Sequence, residues 1–153
     1  MKYLKYLVIT AVIVLAAAAV CHFTGTNNAN MPAVRLVPGD IIWKSDPKLH
    51  GLQTAVLAGD PSIAAPYTQR IRIPANTILK PHSHPNKARM VTVLSGTFYY
   101  AYGDKFDESK LKELPPGSFF TEPSGMSHYA MTKNQEVILQ LNAIGPDGTS
   151  YVK

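Results

Sequence analysis

Two histidines one residue apart, His82 and His84, open a stretch that continues as a run of valine, threonine and leucine up to Gly96. Side chains on a β-strand alternate between its two faces, so a strand here would direct both imidazoles to the same side. Two imidazoles on one face can share a metal ion, and His128, at the end of residues 117–128, supplies a third. The residue types and their spacing therefore predict a metal site at His82, His84 and His128.

Other kinds of chemistry find little support in the sequence. A lone histidine is usually a hydrogen-bonded core or surface residue, and His22 and His50, which lie outside both stretches, are interpreted in that way. Cys21 is the only cysteine, so no intramolecular disulfide can form. The serines lack a nucleophile-elbow setting, and no glycine-rich phosphate loop precedes a helix.

Short stretches rich in β-branched and aromatic residues recur along the chain, separated by turn-forming residues. The predicted strands are residues 54–57, 67–73, 90–94, 97–102, 118–121, 126–131 and 137–142, with residues 77–80 leading into the histidines. Many short strands at this spacing are typical of an all-β sandwich or barrel. We therefore expect residues 51–153 to form one barrel, preceded by a linker and short N-terminal strands over residues 21–50, with Trp43 as a hydrophobic anchor.

One segment departs from the strand pattern. Residues 107–114 carry acids at their start, lysines later, and Leu111 and Leu114 three positions apart. Two prolines and a glycine follow directly. Early acids, later lysines and leucines at helical spacing favour a helix, and prolines end one. The pattern predicts a short helix inserted between two strands.

The N-terminal residues resemble a targeting segment. Lys2 and Lys5 precede an apolar run over residues 7–20 that ends in alanines, which is typical of a secretory signal. The run is short for a membrane span, which needs about 20 residues. We expect residues 1–20 to be a signal peptide and the protein to be periplasmic or secreted. The alternatives are a membrane anchor through an uncleaved leader or through lipidation of Cys21.

The charge of the chain gives no sign of a nucleic-acid partner. The net charge is +5, and removal of Lys2 and Lys5 with the leader would take two of the 15 basic residues, against 10 acidic ones. The remaining basic residues are scattered, without a basic stripe or an aromatic RNA-binding pattern. The expected partner is a small-molecule ligand.

The spacing of the two histidine stretches resembles that of the cupins. Their first motif is His-x-His, an acidic residue four or five positions on, and a glycine seven beyond it. Their second is glycine, five residues, Pro-x-Gly, two residues and histidine. The matching residues here are His82, His84 and Gly96 for the first motif and Gly117, Pro123, Gly125 and His128 for the second. The resemblance runs from Gly51 to about Tyr151, and is strongest to small single-domain bacterial cupins related to the cupin part of the ChrR anti-sigma factor. It implies a double-stranded β-helix, or jelly-roll barrel, and often a homodimer, with the strands around Trp43 as a candidate contact.

The first motif departs from the family at its acidic residue. Arg89 stands seven positions before Gly96, where metal-binding cupins have glutamate, and Ala88, the other permitted position, is not acidic. Three interpretations stay open. The histidines alone hold a divalent iron, zinc, manganese, nickel or copper ion; Gln140 or Glu122 supplies a fourth ligand; or no metal binds, and the histidines line a pocket for a small ligand.

Arg89 and the aromatic residues are candidates for contact with a ligand. Arg89 is either a solvated strand residue or a residue at the pocket mouth that favours an anionic ligand, because a guanidinium beside a metal attracts carboxylates and phosphates. Alternation along the strands lets about half of the aromatic side chains point into a barrel. Tyr99 and Tyr129 are the tyrosines that we predict to contact the ligand.

The resemblance does not choose a reaction, since cupins include oxygenases, isomerases, decarboxylases, storage proteins and sensors. Two functions follow as expectations: a metal-dependent oxygenase or isomerase acting on a small molecule, or a non-catalytic periplasmic sensor of a ligand or metal. A third is a structural relic with an empty barrel. Glu122 is the only general base that the motifs offer.

Overall fold

The computed structural model describes residues 32–45 and 51–153. The predictions for the leader, for Cys21 and for most of the linker lie outside these residues. Within the described part of the chain, no helix has the length and apolar character needed to cross a membrane.

The described residues form eleven strands in two antiparallel sheets. The strands are β1 Lys44–Ser45, β2 Gln53–Ala58, β3 Pro66–Ile73, β4 Ile78–Ser83, β5 Ala88–Ser95, β6 Phe98–Tyr102, β7 Lys112–Leu114, β8 Phe119–Pro123, β9 His128–Thr132, β10 Val137–Ile144 and β11 Ser150–Tyr151. One sheet has the order β1-β2-β3-β10-β5-β8 and the other the order β11-β4-β9-β6-β7. The prediction of an all-β jelly-roll barrel is confirmed.

Strict alternation along β10 shows why the sheets pack face to face. Val137, Leu139, Leu141 and Ala143 are buried, while the residues between them are more exposed. β10 pairs with β3 on one side and β5 on the other, so its inward row lies at the centre of its sheet. Burial of such apolar rows from two facing sheets supplies the main stabilisation of a sandwich or barrel.

The turn between β5 and β6 explains the glycine that ends the first motif. Gly96 has φ of +70°, in the left-handed region that side chains other than glycine rarely adopt. A Cβ atom at this position would also collide with the carbonyl oxygen of Glu136. Gly96 therefore lets β5 turn tightly into the next strand beside the start of β10.

The predicted helix over residues 107–114 is present for one turn only. Glu108–Lys110 form a turn of 3-10 helix, capped by Asp107, whose Oδ1 accepts the Ser109 backbone N–H at 3.0 Å. From Leu111 onward the prediction is wrong, because the chain continues into β7 and pairs with β6. A helix of this length is marginal unless it packs on the protein, whereas the sheet edge provides hydrogen bonds at once. Leu114 joins the core from that strand.

The described N-terminal residues lie along the first sheet. A turn of 3-10 helix at Pro38–Asp40 leads through an extended segment into β1, which pairs with β2. The Arg72 guanidinium lies 4.1 Å from the ring centroid of Trp43, a cation–π contact. Trp43 thus attaches this segment to the outer face of β3.

Candidate metal centre

Neighbouring strands of the second sheet bring the three histidines together. β4 and β9 are paired so that His82 lies opposite His128, and His84 follows directly after β4. The ring centroids are 4.4 Å apart for His82 and His128, 5.0 Å for His82 and His84, and 5.1 Å for His84 and His128. One ring nitrogen of each residue lies within 4.8 Å of the others. The predicted convergence of the three imidazoles is confirmed.

Backbone carbonyl groups orient all three rings. The Nδ1 atoms face the carbonyl oxygens of Lys80 (2.6 Å from His82), Gly148 (2.6 Å from His84) and Met126 (3.2 Å from His128). A carbonyl oxygen can only accept, so each Nδ1 carries the proton and each Nε2 keeps a free lone pair. This is the arrangement that metal-ligating histidines have, with the second ring nitrogen held by an acceptor.

Burial keeps the imidazoles neutral. Desolvation lowers the pKa of His84 to about 3, with the nearby Arg89 charge acting in the same direction. Desolvation also lowers the pKa of His128 to about 4 and the pKa of His82 below its ordinary value. At pH 7 the three residues are therefore unprotonated at Nε2, which is the form that can bind a metal.

Glu122 places a carboxylate beside the histidines from the opposite sheet. β5 and β8 are paired so that Arg89 lies directly across from Glu122, and Arg89 Nε is 3.3 Å from Glu122 Oε2. Glu122 Oε1 is 3.5 Å from His128 Nε2, and Oε2 is 3.6 Å from His84 Nε2. Two donors bound at about 2.1 Å to one tetrahedral ion stand about 3.4 Å apart. Glu122 therefore lies close to His84 and His128 through different oxygens, but among the described residues only His82, His84 and His128 form a group whose ligand atoms all lie within 4.8 Å of one another.

Unpaired polar atoms show that this donor set fits a metal ion. His128 Nε2 is buried without a hydrogen-bond partner among the described residues, and buried Glu122 Oε2 has only its ion-pair contact with Arg89 and the 3.6 Å contact with His84. A buried polar group left unpaired costs about 1–3 kcal/mol, which a bound cation would offset. Three imidazole nitrogens and one carboxylate oxygen suit zinc, iron, manganese, nickel or copper better than magnesium or calcium.

The Glu122 carboxyl itself is under two opposing influences. Glu122 is only 7% exposed, and this burial raises the pKa of the carboxyl, while the Arg89 charge lowers it. Arg89 is 4% exposed, so the interpretation of this residue as a solvated strand residue is wrong. Its guanidinium instead lines the same cavity as the histidines.

The histidines lie in the wall of a cavity of about 750 Å³ between the two sheets. Its charged or polar lining includes Gln69, Arg89, Glu122 and Asp147. Its apolar lining includes Leu52, Ile71, Ile73, Leu79, Phe98, Tyr100, Ala130 and Leu139. A space of this size and character is typical of sites for small organic ligands.

Neither of the two tyrosines predicted to contact a ligand lines this cavity. Tyr99 lies on the outer face of its sheet under the Lys133 ammonium, which is 4.4 Å from the ring centroid. Tyr129 is buried on the other side of β9 from the histidines, where its hydroxyl donates to the Asp107 carbonyl oxygen at 3.1 Å. Their neighbours Tyr100 and His128 face the cavity instead, because adjacent strand residues point to opposite faces.

Gln140, one of the two candidates for a fourth ligand, also points away from the site. It lies on the outward row of β10, where its Oε1 accepts from Arg70 Nε at 3.3 Å. The buried residues Leu139 and Leu141 on either side of it take the inward positions. Glu122 is the candidate that the fold brings to the histidines.

Sequence reasoning missed the segment that follows β10. Gly148 supplies the carbonyl that orients His84, and β11 pairs with β4 so that Tyr151 lies opposite His82. Asp147 accepts from Gln69 Nε2 at 3.3 Å and lines the cavity. A contact made through a backbone carbonyl leaves no trace in residue type, so the sequence offered no signal for Gly148.

Comparison with known proteins agrees with this geometry. The family model for the ChrR Cupin-like domain matches residues 33–146. The fold resembles the polyketide cyclase RemF from Streptomyces resistomycificus, with a TM-score of 0.65 and 19% identity over 80% of this chain and 87% of that one. It also resembles a chain in the structure of Rhodobacter sphaeroides SigE in complex with the anti-sigma ChrR, with a TM-score of 0.53 and 16% identity over 70% of this chain and 51% of that one. At these identities the likenesses concern the fold alone.

Curated relatives include plant germin-like proteins. Germin-like protein 9-3 from Oryza sativa subsp. japonica is 26% identical over 79 residues, which are 52% of this chain and 37% of the relative. The chain spans less than half the length of the curated relatives it matches.

Proposed function

Because the chain belongs to the ChrR cupin-like family, we propose that it binds a divalent transition metal through His82, His84 and His128 and uses the ion to act on a small molecule. The observation that carries the proposal is the convergence of three Nε2 lone pairs, each freed by a carbonyl that holds the opposite ring nitrogen. In metal sites, a partner on the second ring nitrogen fixes the tautomer and orientation of a ligating histidine in this way.

The residues around the histidines have distinct parts in this proposal. Glu122 is the fourth ligand, and Arg89 holds its carboxylate in place through the 3.3 Å ion pair. Tyr100 lies against His128, with ring centroids 5.4 Å apart, and keeps water from that side of the ring. A divalent ion at such a site polarises a carbonyl oxygen or activates water or O₂. We propose oxygenase or isomerase chemistry on a small molecule.

We propose further that the ligand is anionic. The cavity lining carries four cationic side chains (Lys80, Arg89, Lys105 and Lys153) against three carboxylates (Asp104, Glu122 and Asp147). A divalent ion among neutral imidazoles adds two positive charges, and such a field favours anions. Affinity for acetate should fall in Arg89→Ala and stay unchanged in Arg70→Ala, whose guanidinium faces outward; equal affinities in the two variants would contradict this part.

The metal site is tested by elemental analysis of the purified protein after reconstitution with zinc, iron, manganese, nickel or copper. We expect about one ion per chain in the wild type and in His50→Ala, a control outside both motifs. His82→Ala and His128→Ala should each retain little metal, because each substitution removes one of the three histidine ligands and so weakens binding of the ion. A wild type that stays metal-free at excess ion would refute the proposal.

A non-catalytic sensor is the second candidate function, and the match to the ChrR cupin-like domain favours it. The two candidates differ in turnover. Metal-loaded protein that consumes O₂ or converts members of a panel of small acids is an enzyme. Metal-loaded protein that binds such acids without converting them is a sensor.

We propose that either function is exercised outside the cytoplasm, in the periplasm or after secretion. The support is the basic and apolar pattern of residues 1–20. Cell fractionation tests it, and recovery of the protein with the cytoplasmic fraction would contradict it.

A further inference from the structure

The lining of the cavity changes from polar to apolar within two residues of the histidines along the strands. Arg89 and Glu122 form its polar row on one sheet, facing His82 and His128 on the other. Every second residue of a strand points into the cavity. Further along the strands, these inward-pointing side chains are apolar.

The apolar part of the cavity is built by both sheets. On the first sheet Ile71 pairs with Leu139, and on the second Tyr100 pairs with Ala130. Phe98 lies two residues before Tyr100 on the same strand face and also lines the cavity. These side chains form a wall that is apolar except for the Tyr100 hydroxyl and that begins next to the metal site, where Tyr100 lies against His128.

Two of the polar side chains near this wall, Thr77 and Gln69, are already paired, whereas the buried Tyr100 hydroxyl has no hydrogen-bond partner in the described part of the chain. Thr77 Oγ1 donates to the Pro74 carbonyl at 2.8 Å, and Gln69 Nε2 donates to Asp147 at 3.3 Å. The Tyr100 hydroxyl could pair with one group of a ligand, but a sugar or another polyhydroxylated molecule would bury its other hydroxyl groups against Ile71, Leu139 and Phe98 without partners, at about 1–3 kcal/mol each. The wall therefore fits an uncharged hydrocarbon or aromatic body.

The polar end offers the opposite chemistry. Arg89 Nη1 is buried, lines the cavity with its side chain, and has no hydrogen-bond partner in the described part of the chain. Glu122 occupies the Nε side of the guanidinium, which leaves Nη1 free for another acceptor. An anionic oxygen is the acceptor that pairs best with a guanidinium N–H beside a cation.

We propose that the ligand of this cavity is an amphipathic acid, with its carboxylate at Arg89 Nη1 and the metal site and an aliphatic or aromatic body along Ile71, Leu139 and Phe98. The position of the carboxylate rests on the proposed function, whereas the body is placed by the apolar wall alone. The cavity volume of about 750 Å³ leaves room for such a body beyond the histidines.

The test is isothermal titration calorimetry on zinc-loaded protein whose metal content has been measured. The probes are 3-phenylpropanoate, acetate, 3-phenylpropan-1-ol and gluconate. We expect 3-phenylpropanoate to bind roughly 10- to 150-fold more tightly than acetate, which is the range for burying one large apolar side chain. The alcohol and gluconate should both bind more weakly than 3-phenylpropanoate.

Two matched pairs of variants locate the contacts. Ile71→Thr should weaken 3-phenylpropanoate several-fold and leave acetate unchanged, while Ile138→Thr on the outward row of β10 should change neither. Arg89→Met should weaken both acids and spare the alcohol, with Arg70→Met as control. Circular dichroism shows whether each variant is folded. If Arg89→Met does not fold, the comparison of Ile71→Thr with Ile138→Thr still tests the inference.

The apolar body of the ligand, its anionic head and the metal site are each tested by a separate outcome. Acetate or gluconate binding as tightly as 3-phenylpropanoate would overturn the apolar body, and equal binding of the alcohol would overturn the anionic head. Protein that takes up no zinc would refute the proposed function instead. The same probe series on that protein would still decide the inference, because Arg89 and the apolar wall are present without the ion.

Discussion

Lowering the pH from 7 to 5 tests the state of the histidines in the folded protein. Protons and metal compete for the same Nε2 lone pairs, so metal affinity falls as the pH drops through the pKa values of the free ligands. Because burial lowers those values to about 3 for His84 and about 4 for His128, the competition is displaced below pH 5. We therefore expect the histidines to lose much less zinc affinity over this interval than histidines with ordinary pKa values would.

Buried neutral histidines and histidines with ordinary pKa values predict losses of zinc affinity that differ by at least several hundred-fold, about 400 or more. A histidine with the ordinary pKa of about 6.5 is about 97% protonated at pH 5 and about 24% protonated at pH 7, so binding weakens about 25-fold per histidine and about 15,000-fold for three. With pKa values of about 3 and about 4, His84 and His128 together contribute less than about 1.2-fold. His82, whose pKa is also lowered, contributes at most about 25-fold. The expected fall is below about 40-fold.

The assay is zinc uptake from nitrilotriacetate buffers of defined free zinc, followed by elemental analysis at pH 7, 6 and 5. Protonation of Glu122 would add its own loss, since burial raises the pKa of that carboxyl. Glu122→Gln is therefore measured beside the wild type and isolates the histidines. A fall of about 1,000-fold or more in Glu122→Gln between pH 7 and 5 would refute the buried, neutral state of the imidazoles.

Three further predictions concern the ligand set, the fold and the leader. At pH 7, Glu122→Gln should lower zinc affinity about 10- to 100-fold, whereas Gln140→Ala should leave it unchanged; the same uptake assay measures both, and equal effects would contradict the assignment. In urea denaturation, Gly96→Ala should cost more stability than Gly117→Ala, since both have positive φ but only at Gly96 would a Cβ meet the Glu136 carbonyl; a strained φ alone costs about 1–2 kcal/mol. Sequencing the N-terminus of exported protein should give a start near residue 21, and a retained Met1 would show that the leader is not cleaved.

The parts of the site that could be predicted from sequence depend on local geometry. His82 and His84 point the same way because a strand has a period of two, and this holds wherever the strand lies in the sheet. The strand segments themselves were found in the same way, since β-branched and aromatic residues alternate between turn residues. His128 was placed by the resemblance of two motifs rather than by any local rule.

The parts that could not be predicted depend on which strands pair and in what register. Tyr99 and Tyr100 are equally good candidates for contact with a ligand until the register of β6 with β9 is known. An error of one residue in that register exchanges the inner and outer faces of the strand. The pairing of Arg89 with Glu122 likewise follows from the register of β5 and β8, which are separated in sequence by two other strands. Edge strands such as β7 and β11 are short, and their pairing with β6 and β4 is decided by tertiary contacts.

The register of β5 with β8 also explains how the fold accommodates Arg89, where the first cupin motif has an acidic residue. An arginine at position 89 would by itself place an uncompensated charge in the barrel, which is costly at 4% exposure. Glu122, directly across the strand pair, neutralises it and brings a carboxylate within 3.6 Å of two of the histidines. The cavity thus has a carboxylate on β8 and a guanidinium on β5, and the guanidinium offers hydrogen-bond donors that a glutamate at position 89 could not provide. The proposed metal would therefore lie in a mixed imidazole and carboxylate site with a buried guanidinium beside it, and the proposed anionic ligand rests on that arrangement.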